Sequence, residues 1–311
     1  MRIVVLDGFT ANPGDVSWDE IERLGDVSVY ERTSEKDIVL RAKDADAILL
    51  NKCPMTKETM IELKNLKYIG VLATGYNVVD TAYAKQAGIV VTNIPAYSTA
   101  SVAQHVFALM LEMAAHVGAH SERCLSGAWE KAKDFCFWDY PLTEISGKTL
   151  GIIGNGAIGQ AVGRIANAFE MNVIAYSPSK NPPEILEKIY RESDVISLNC
   201  PLRDDNREMI SAASISKMKK GVWIINTARG GLVNEQDVKD ALVSGRIGAF
   251  AADVVSSEPI KSDNPLLTAP NVILTPHIAW APLEARKRLV KIAADNLRNF
   301  MAGTITNCVN V

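Results

Sequence analysis

An apolar run that feeds directly into a spaced set of glycines constrains this chain more than any other feature. Leu150-Gly151-Ile152-Ile153 leads into Gly154-Asn155-Gly156-Ala157-Ile158-Gly159, and Val162, Ile165, Ala166 and Phe169 then recur at helical spacing. This order predicts a strand, a tight turn and an amphipathic helix. In such a unit Gly154 allows the turn, Gly156 lets a pyrophosphate approach the backbone, and Gly159 lets helix pack closely on strand. The unpaired first-turn N–H groups, at Ala157, Ile158 and Gly159, then receive the anion. The motif points to a bound dinucleotide.

Composition narrows the remaining classes. The chain has 311 residues, 48% hydrophobic and 22% charged, which suits a soluble protein with two cores. A formal charge of −3 offers no basic excess for nucleic acid or an anionic membrane. No leader pattern and no bilayer-length apolar run occurs, so a cytoplasmic location is expected. Cys53, Cys124, Cys136, Cys200 and Cys308 are scattered without Cys-x-x-Cys spacing. They are expected to be reduced and mostly buried, with neither a disulfide framework nor a metal site.

Strand and helix patterns alternate along the whole chain. Ile3–Leu6, Val27–Tyr30, Ala47–Leu50, Tyr68–Leu72 and Val90–Thr92 read as strands of a first βα series. A long helix is expected from about Ser101 to Ala119. A second series follows, with strands near Leu150, Val173, Val195, Trp223, Phe250 and Val272, and a last helix runs from about Pro282 to Met301. Such alternation implies parallel sheets wrapped by helices, hence two doubly wound α/β domains.

In a dinucleotide fold an acidic residue about 20 positions past the glycines takes the ribose 2′-hydroxyl. Here the corresponding strand, Asn172-Val173-Ile174-Ala175-Tyr176, ends at Ser177. No carboxylate stands there to repel a 2′-phosphate, and Ser177, Ser179 and Lys180 could bind one. The cofactor is therefore NAD(H) or NADP(H).

Polar residues close three further apolar strands, on the side of a parallel sheet where ligands bind. They are Arg229 after Trp223-Ile224-Ile225-Asn226-Thr227-Ala228, Asp253 with Glu258 beyond it, and His277 after Ile273-Leu274-Thr275-Pro276. Hydride transfer to a 2-oxo acid requires a proton donor for the developing alkoxide and a cation for the carboxylate or carbonyl. His277 is the natural donor, since imidazole exchanges protons near neutrality. Glu258 suits its partner, because a carboxylate on the other ring nitrogen fixes the ring and favours imidazolium. Arg229 offers a planar, permanently charged fork. Asp253 could accept from the nicotinamide carboxamide. His105, His116 and His120 lack acidic partners at ligand spacing and read as core, capping or subunit contacts.

These motifs, in this order, resemble the D-isomer-specific 2-hydroxyacid dehydrogenases, and most resemble their glycerate dehydrogenase (hydroxypyruvate reductase) branch. The resemblance rests on Gly154–Gly159, on Asn226-Thr227-Ala228-Arg229-Gly230-Gly231-Leu232-Val233, on Asp253 with Glu258-Pro259, and on Thr275-Pro276-His277-Ile278-Ala279-Trp280. It implies a Rossmann cofactor domain inserted into a flavodoxin-like substrate domain, with bounds 1–97, 98–282 and 283–311. It also implies Arg229 as the substrate-orienting cation, Glu258 as the histidine's partner and His277 as acid/base. Beyond these, it places the substrate carboxylate on backbone at Thr74 and Gly75, the adenosine along Pro201, and the cofactor beside Thr227 and Ala228. It further implies a homodimer built through residues 101–145. The implied reaction is reduction of hydroxypyruvate or glyoxylate to the D-2-hydroxy acid. Two other functions fit the same scaffold: a nicotinamide-sensing protein-binding module, and an oxidiser of phosphite or formate. Against the family, the segment from Ser177 to Asp194 is short, which leaves one helix or strand of the nucleotide fold open.

Overall fold

Short runs of β-branched residues and leucine, buried on both faces, organise the first of two sheets. The computed structural model describes residues 1–310. Strands β1 (Arg2–Val5), β2 (Asp26–Val29), β3 (Ala47–Leu50), β4 (Tyr68–Val71) and β5 (Val90–Thr92) pair in parallel in the order β2-β1-β3-β4-β5. The crossovers carry helices α1 (Asp19–Glu22), α2 (Ile38–Ala42), α3 (Lys57–Glu62) and α4 (Thr81–Gln86). Every residue of β3 and β4 is buried, as a central strand covered by helices requires, whereas edge strand β2 is largely exposed. Thr56 and Asp80 cap α3 and α4 by accepting from the N–H groups of Thr59 and Tyr83.

The second sheet is built in the same way. Its helices are α5 (Thr99–Ala115), α6 (Val117–Leu125), α7 (Ala157–Ala168), α8 (Pro183–Glu192), α9 (Ala212–Ile215) and α10 (Glu235–Val243). Strands β6 (Thr149–Ile153), β7 (Asn172–Tyr176), β8 (Val195–Leu198), β9 (Val222–Asn226), β10 (Ile247–Ala252) and β11 (Val272–Leu274) run parallel in the order β11-β10-β9-β8-β6-β7. Its core groups α5 residues Val106, Leu109, Met110 and Met113 with Val162 and Ala166 of α7 and with Leu150 and Ile152 of β6. Chain contacts divide the molecule into one unit of Met1–Ser98 with the residues from Ala281 onward, and another of Thr99–Trp280.

The structure corrects one helix boundary and closes one open point. The long helix expected to reach Ala119 ends at Ala115, and a 58° bend separates it from α6. His116 takes a left-handed backbone there (φ 48°), and the Glu112 carboxylate accepts from the Gly118 N–H beyond the break. Apolar periodicity carries no trace of that capping. The short segment between Ser177 and Asp194 holds α8 and nothing more. β7 is consequently an edge strand, and the strand that the order 3-2-1-4-5-6 sets outside it is missing among the described residues.

The last helix, α11 (Leu283–Met301), belongs to the first unit. Its Leu289, Ala293, Ala294 and Leu297 are buried, and Phe300 meets the Tyr68 ring at 4.9 Å. Its buried Arg286 pairs with Asp15 at 2.5 and 2.7 Å, and this guanidinium holds the Asp15 carboxyl below its ordinary range. Among the described residues no single helix is long and apolar enough to cross a membrane.

Candidate active site

The glycine turn has the shape its sequence predicts. Gly154 sits at φ +103°, and a Cβ there would lie 2.5 Å from backbone of Asn199 and Cys200. At Gly159 a Cβ would lie 2.1 Å from the Gly154 oxygen, so helix and turn touch through bare backbone. Gly156 differs, because nothing lies within 4 Å of its added Cβ. It is also the N-cap of α7, where no side chain among the described residues caps the helix. The first turn of α7, from Ala157, thus begins beside the open space at Gly156, which fits a pyrophosphate on its N–H groups.

Neighbouring strand ends complete this rim. Ser177 follows β7; its N–H donates to Asn181 Oδ1 at 2.9 Å, and its hydroxyl is 3.3 Å from that of Ser179. Pro201 follows β8, its carbonyl accepting from Asn206 Nδ2 at 2.9 Å. Thr227 and Ala228 follow β9, and the Thr227 hydroxyl oxygen is buried without a partner among the described residues.

Arg229 is held by a residue that the sequence reading passed over. Buried Asn226 accepts from the Ala228 N–H at 3.0 Å and donates to the Arg229 carbonyl at 2.9 Å, clamping the turn after β9. The backbone is left to place the guanidinium, which is exposed and has no carboxylate partner among the described residues. Only Gly230 allows the next contact, since a Cβ there would lie 1.9 Å from the Val255 carbonyl carbon. Val255 in turn donates its N–H to Glu258 Oε1 at 3.3 Å. The Arg229 turn and the Glu258 loop therefore share one end of the sheet. Glu235 secures that loop by accepting from the Ser256 N–H and hydroxyl, both at 2.7 Å, and from Asn264 Nδ2 at 2.8 Å.

His277 follows β11 in a left-handed conformation (φ 56°), which costs a residue other than glycine about 1–2 kcal/mol. Asp253 opposes that cost. Its carbonyl accepts the His277 N–H at 2.8 Å, and its carboxylate accepts the N–H groups of Ile278 at 2.9 Å and Ala279 at 2.8 Å. Nδ1 of His277 meets Glu258 Oε2 at 2.6 Å, while Nε2 bonds to no group among the described residues. A ring anchored at Nδ1 and open at Nε2 can pass a proton to or from a bound molecule.

Asp253 itself is 1% exposed and its carboxylate is committed to this loop. His105 reverses an expectation, for its Nε2 lies 2.9 Å from the Thr275 hydroxyl and 3.5 Å from Asp253 Oδ1. No local spacing could reveal partners so distant in the chain. Thr74 and Gly75 lie in the first unit, just after β4, where Thr74 Oγ1 donates to the Ile94 carbonyl at 2.9 Å and the Thr74 carbonyl accepts from Asn93 Nδ2 at 2.8 Å. Among the described residues no group of three or more His, Cys, Asp or Glu side chains could hold a metal ion.

A glycine turn open at a helix N-terminus, with a histidine–carboxylate pair and an exposed arginine after other strands of the same parallel sheet, defines a nicotinamide-dependent oxidoreductase. Residues 107–279 match the family model for the D-isomer specific 2-hydroxyacid dehydrogenase, NAD binding domain. The chain belongs to that family. It is 51% identical to a hydroxypyruvate reductase of Blautia hydrogenotrophica over all of both chains, and 43% identical to a glycerate dehydrogenase of Methylorubrum extorquens over 90% of each. Among solved structures, an acyclic imino acid reductase in complex with NADPH and D-Arg superposes with a TM-score of 0.87 at 31% identity, covering 99% of this chain and all of that one.

Proposed function

We propose that this 2-hydroxyacid dehydrogenase reduces hydroxypyruvate, and less efficiently glyoxylate, to the D-2-hydroxy acid. The observation that carries the reading is the 2.6 Å contact between His277 Nδ1 and Glu258, with Nε2 left open. Nε2 donates the proton to the substrate's developing alkoxide oxygen and takes it back in the reverse direction. Glu258 keeps the ring in one orientation and compensates the positive charge of its protonated form. Arg229 grips the carboxylate or keto oxygen. When bound, the nicotinamide cofactor supplies or accepts the hydride. Gly154, Gly156, Ala157, Ile158 and Gly159 would hold its pyrophosphate, Pro201 would flank the adenosine, and Thr227, Ala228 and Asp253 would border the nicotinamide side. The names of the curated relatives support the substrate choice.

The coenzyme pocket accepts NADPH as well as NADH in this reading. Ser177, Ser179, Lys180 and Asn181 supply donors and a cation where a carboxylate would exclude the 2′-phosphate. The solved relative with bound NADPH is in keeping with that assignment. We also assign a homodimer through residues 101–145, because Leu125, Trp129, Phe135, Trp138 and Leu142 of this segment are exposed apolar side chains.

A panel of 2-oxo acids, run with NADH and NADPH side by side and followed by loss of reduced-nicotinamide absorbance, tests the whole reading. Consumption with hydroxypyruvate above the other acids is the expected result. Cofactor binding without consumption of any acid would point to a sensor instead. Oxidation of phosphite or formate in its place would overturn the substrate class.

A further inference from the structure

We propose that His105 is a positioning residue for proton transfer at His277, acting through Thr275 and Asp253; this role rests on the reading of His277 as the proton donor. The direction of the hydrogen bonds makes the argument. Thr275 Oγ1 lies 2.6 Å from Asp253 Oδ1 and 2.9 Å from His105 Nε2. A carboxylate only accepts, so the single hydroxyl hydrogen of Thr275 goes to Asp253. Toward His105 the hydroxyl is then an acceptor, and Nε2 of His105 must carry a hydrogen. The result is a one-way relay from imidazole to hydroxyl to carboxylate.

Each end of the relay is fixed for a different reason. His105 stands on α5, whose Val102, Val106 and Leu109 are buried and which packs against the second sheet. Asp253 follows β10 and holds three consecutive N–H groups, those of His277 on its carbonyl and of Ile278 and Ala279 on its carboxylate. Those three groups define the left-handed turn that presents the His277 ring. Without the Nε2–H donor, the Thr275 hydroxyl keeps only its bond to Asp253, and its rotamer is less narrowly fixed. Asp253 then holds the turn with one constraint fewer, and the His277 ring is placed less accurately. Misplacement of a reacting group by a fraction of an ångström lowers turnover far more than it lowers ligand affinity.

The test uses His105→Leu, His105→Gln and Thr275→Val in the full chain. Glutamine keeps a donor near the place of Nε2, whereas leucine does not. His105→Leu is expected to lower kcat about 10- to 100-fold while KM and the cofactor Kd move less than about threefold. His105→Gln should recover most of kcat, and the Thr275→Val/His105→Leu double variant should be no slower than the worse single one, because both break the same relay. Histidine ring ¹⁵N shifts supply a readout independent of turnover. With His105, His116, His120 and His277 the only histidines, the His105 resonance can be assigned by substitution and should report hydrogen on Nε2. An Nδ1–H tautomer at His105 would overturn the proposal, as would a His105→Gln variant that folds yet is as slow as His105→Leu. Normal turnover in His105→Leu beside an inactive His277→Gln would remove the role of His105 alone. Turnover that survives His277→Gln would remove the reading of His277 and this role with it.

Discussion

Nδ1 of His277 lies 2.6 Å from Oε2 of Glu258, and the other oxygen of that carboxylate accepts the N–H of Val255 at 3.3 Å. Both side chains are about one-third exposed, at 32% and 36%. Water screens a pair in that setting, so it adds little to stability and its contribution is to orientation and to the charge of the protonated ring. Glu258→Gln should therefore lower kcat about 10- to 100-fold, and His277→Gln about 10²- to 10⁴-fold, with little change in cofactor Kd or melting temperature. Steady-state kinetics, cofactor titration and thermal melts of the two variants check this. A large loss of melting temperature with unaltered kcat would assign the pair to structure.

Arg229 presents a guanidinium without a carboxylate partner among the described residues, on a turn clamped by Asn226. A charged hydrogen bond contributes about 1.5–3 kcal/mol, so Arg229→Ala should cost roughly 10- to 150-fold in kcat/KM. Arg229→Lys should recover only part of this, because a point charge does not reproduce the planar two-point hold. Equal kcat/KM values for wild type and Arg229→Ala, measured with hydroxypyruvate, would exclude the guanidinium from substrate binding.

The glycines of the turn separate by function. An added Cβ at Gly159 would lie 2.1 Å from the Gly154 oxygen, whereas at Gly156 it would point into open space. Gly159→Ala should lower the melting temperature or prevent folding. Gly156→Ala should melt almost as the wild type does and yet bind NADH or NADPH at least about tenfold more weakly, since its methyl group fills the space reserved for the pyrophosphate. Cofactor titration and thermal melts of both variants distinguish the cases.

Asp194 makes the fold sensitive to acid. Burial by itself would raise its carboxyl, but the Thr149 N–H at 2.8 Å and the Lys219 ammonium at 2.9 Å outweigh that, and the group titrates below its ordinary value. A folded-state pKa below the unfolded value of about 3.9 means that the contribution is complete above that pH and is lost as pH falls through the folded value. Asp194→Asn should thus lower the melting temperature at neutral pH and flatten its decline from about pH 4 downward. Melting curves across that range test the sign.

Local pattern carried much of this protein. The run from Leu150 to Gly159 declared strand, turn and helix because glycine conformations and hydrophobic spacing are properties of a few adjacent residues. Arg229, Asp253 and His277 stood out for a similar reason, each closing an apolar strand, with Glu258 on the loop beyond Asp253. Expectation failed where a polar side chain intervened. The break at His116 depends on Glu112 reaching the Gly118 N–H, and hydrophobic periodicity does not register such a cap.

By itself, then, the sequence determined the alternation of strand and helix, the dinucleotide turn and the identity of the polar groups at the strand ends. The pairing of Glu258 with His277 was expected from the sequence and is made, whereas only the tertiary structure decided the contacts behind the site: Asn226 beneath Arg229, and His105 joined to Asp253 through Thr275. Periodicity and turn chemistry act over a few residues, whereas these contacts depend on the register of a parallel sheet whose neighbouring strands are separated by whole helices in the chain.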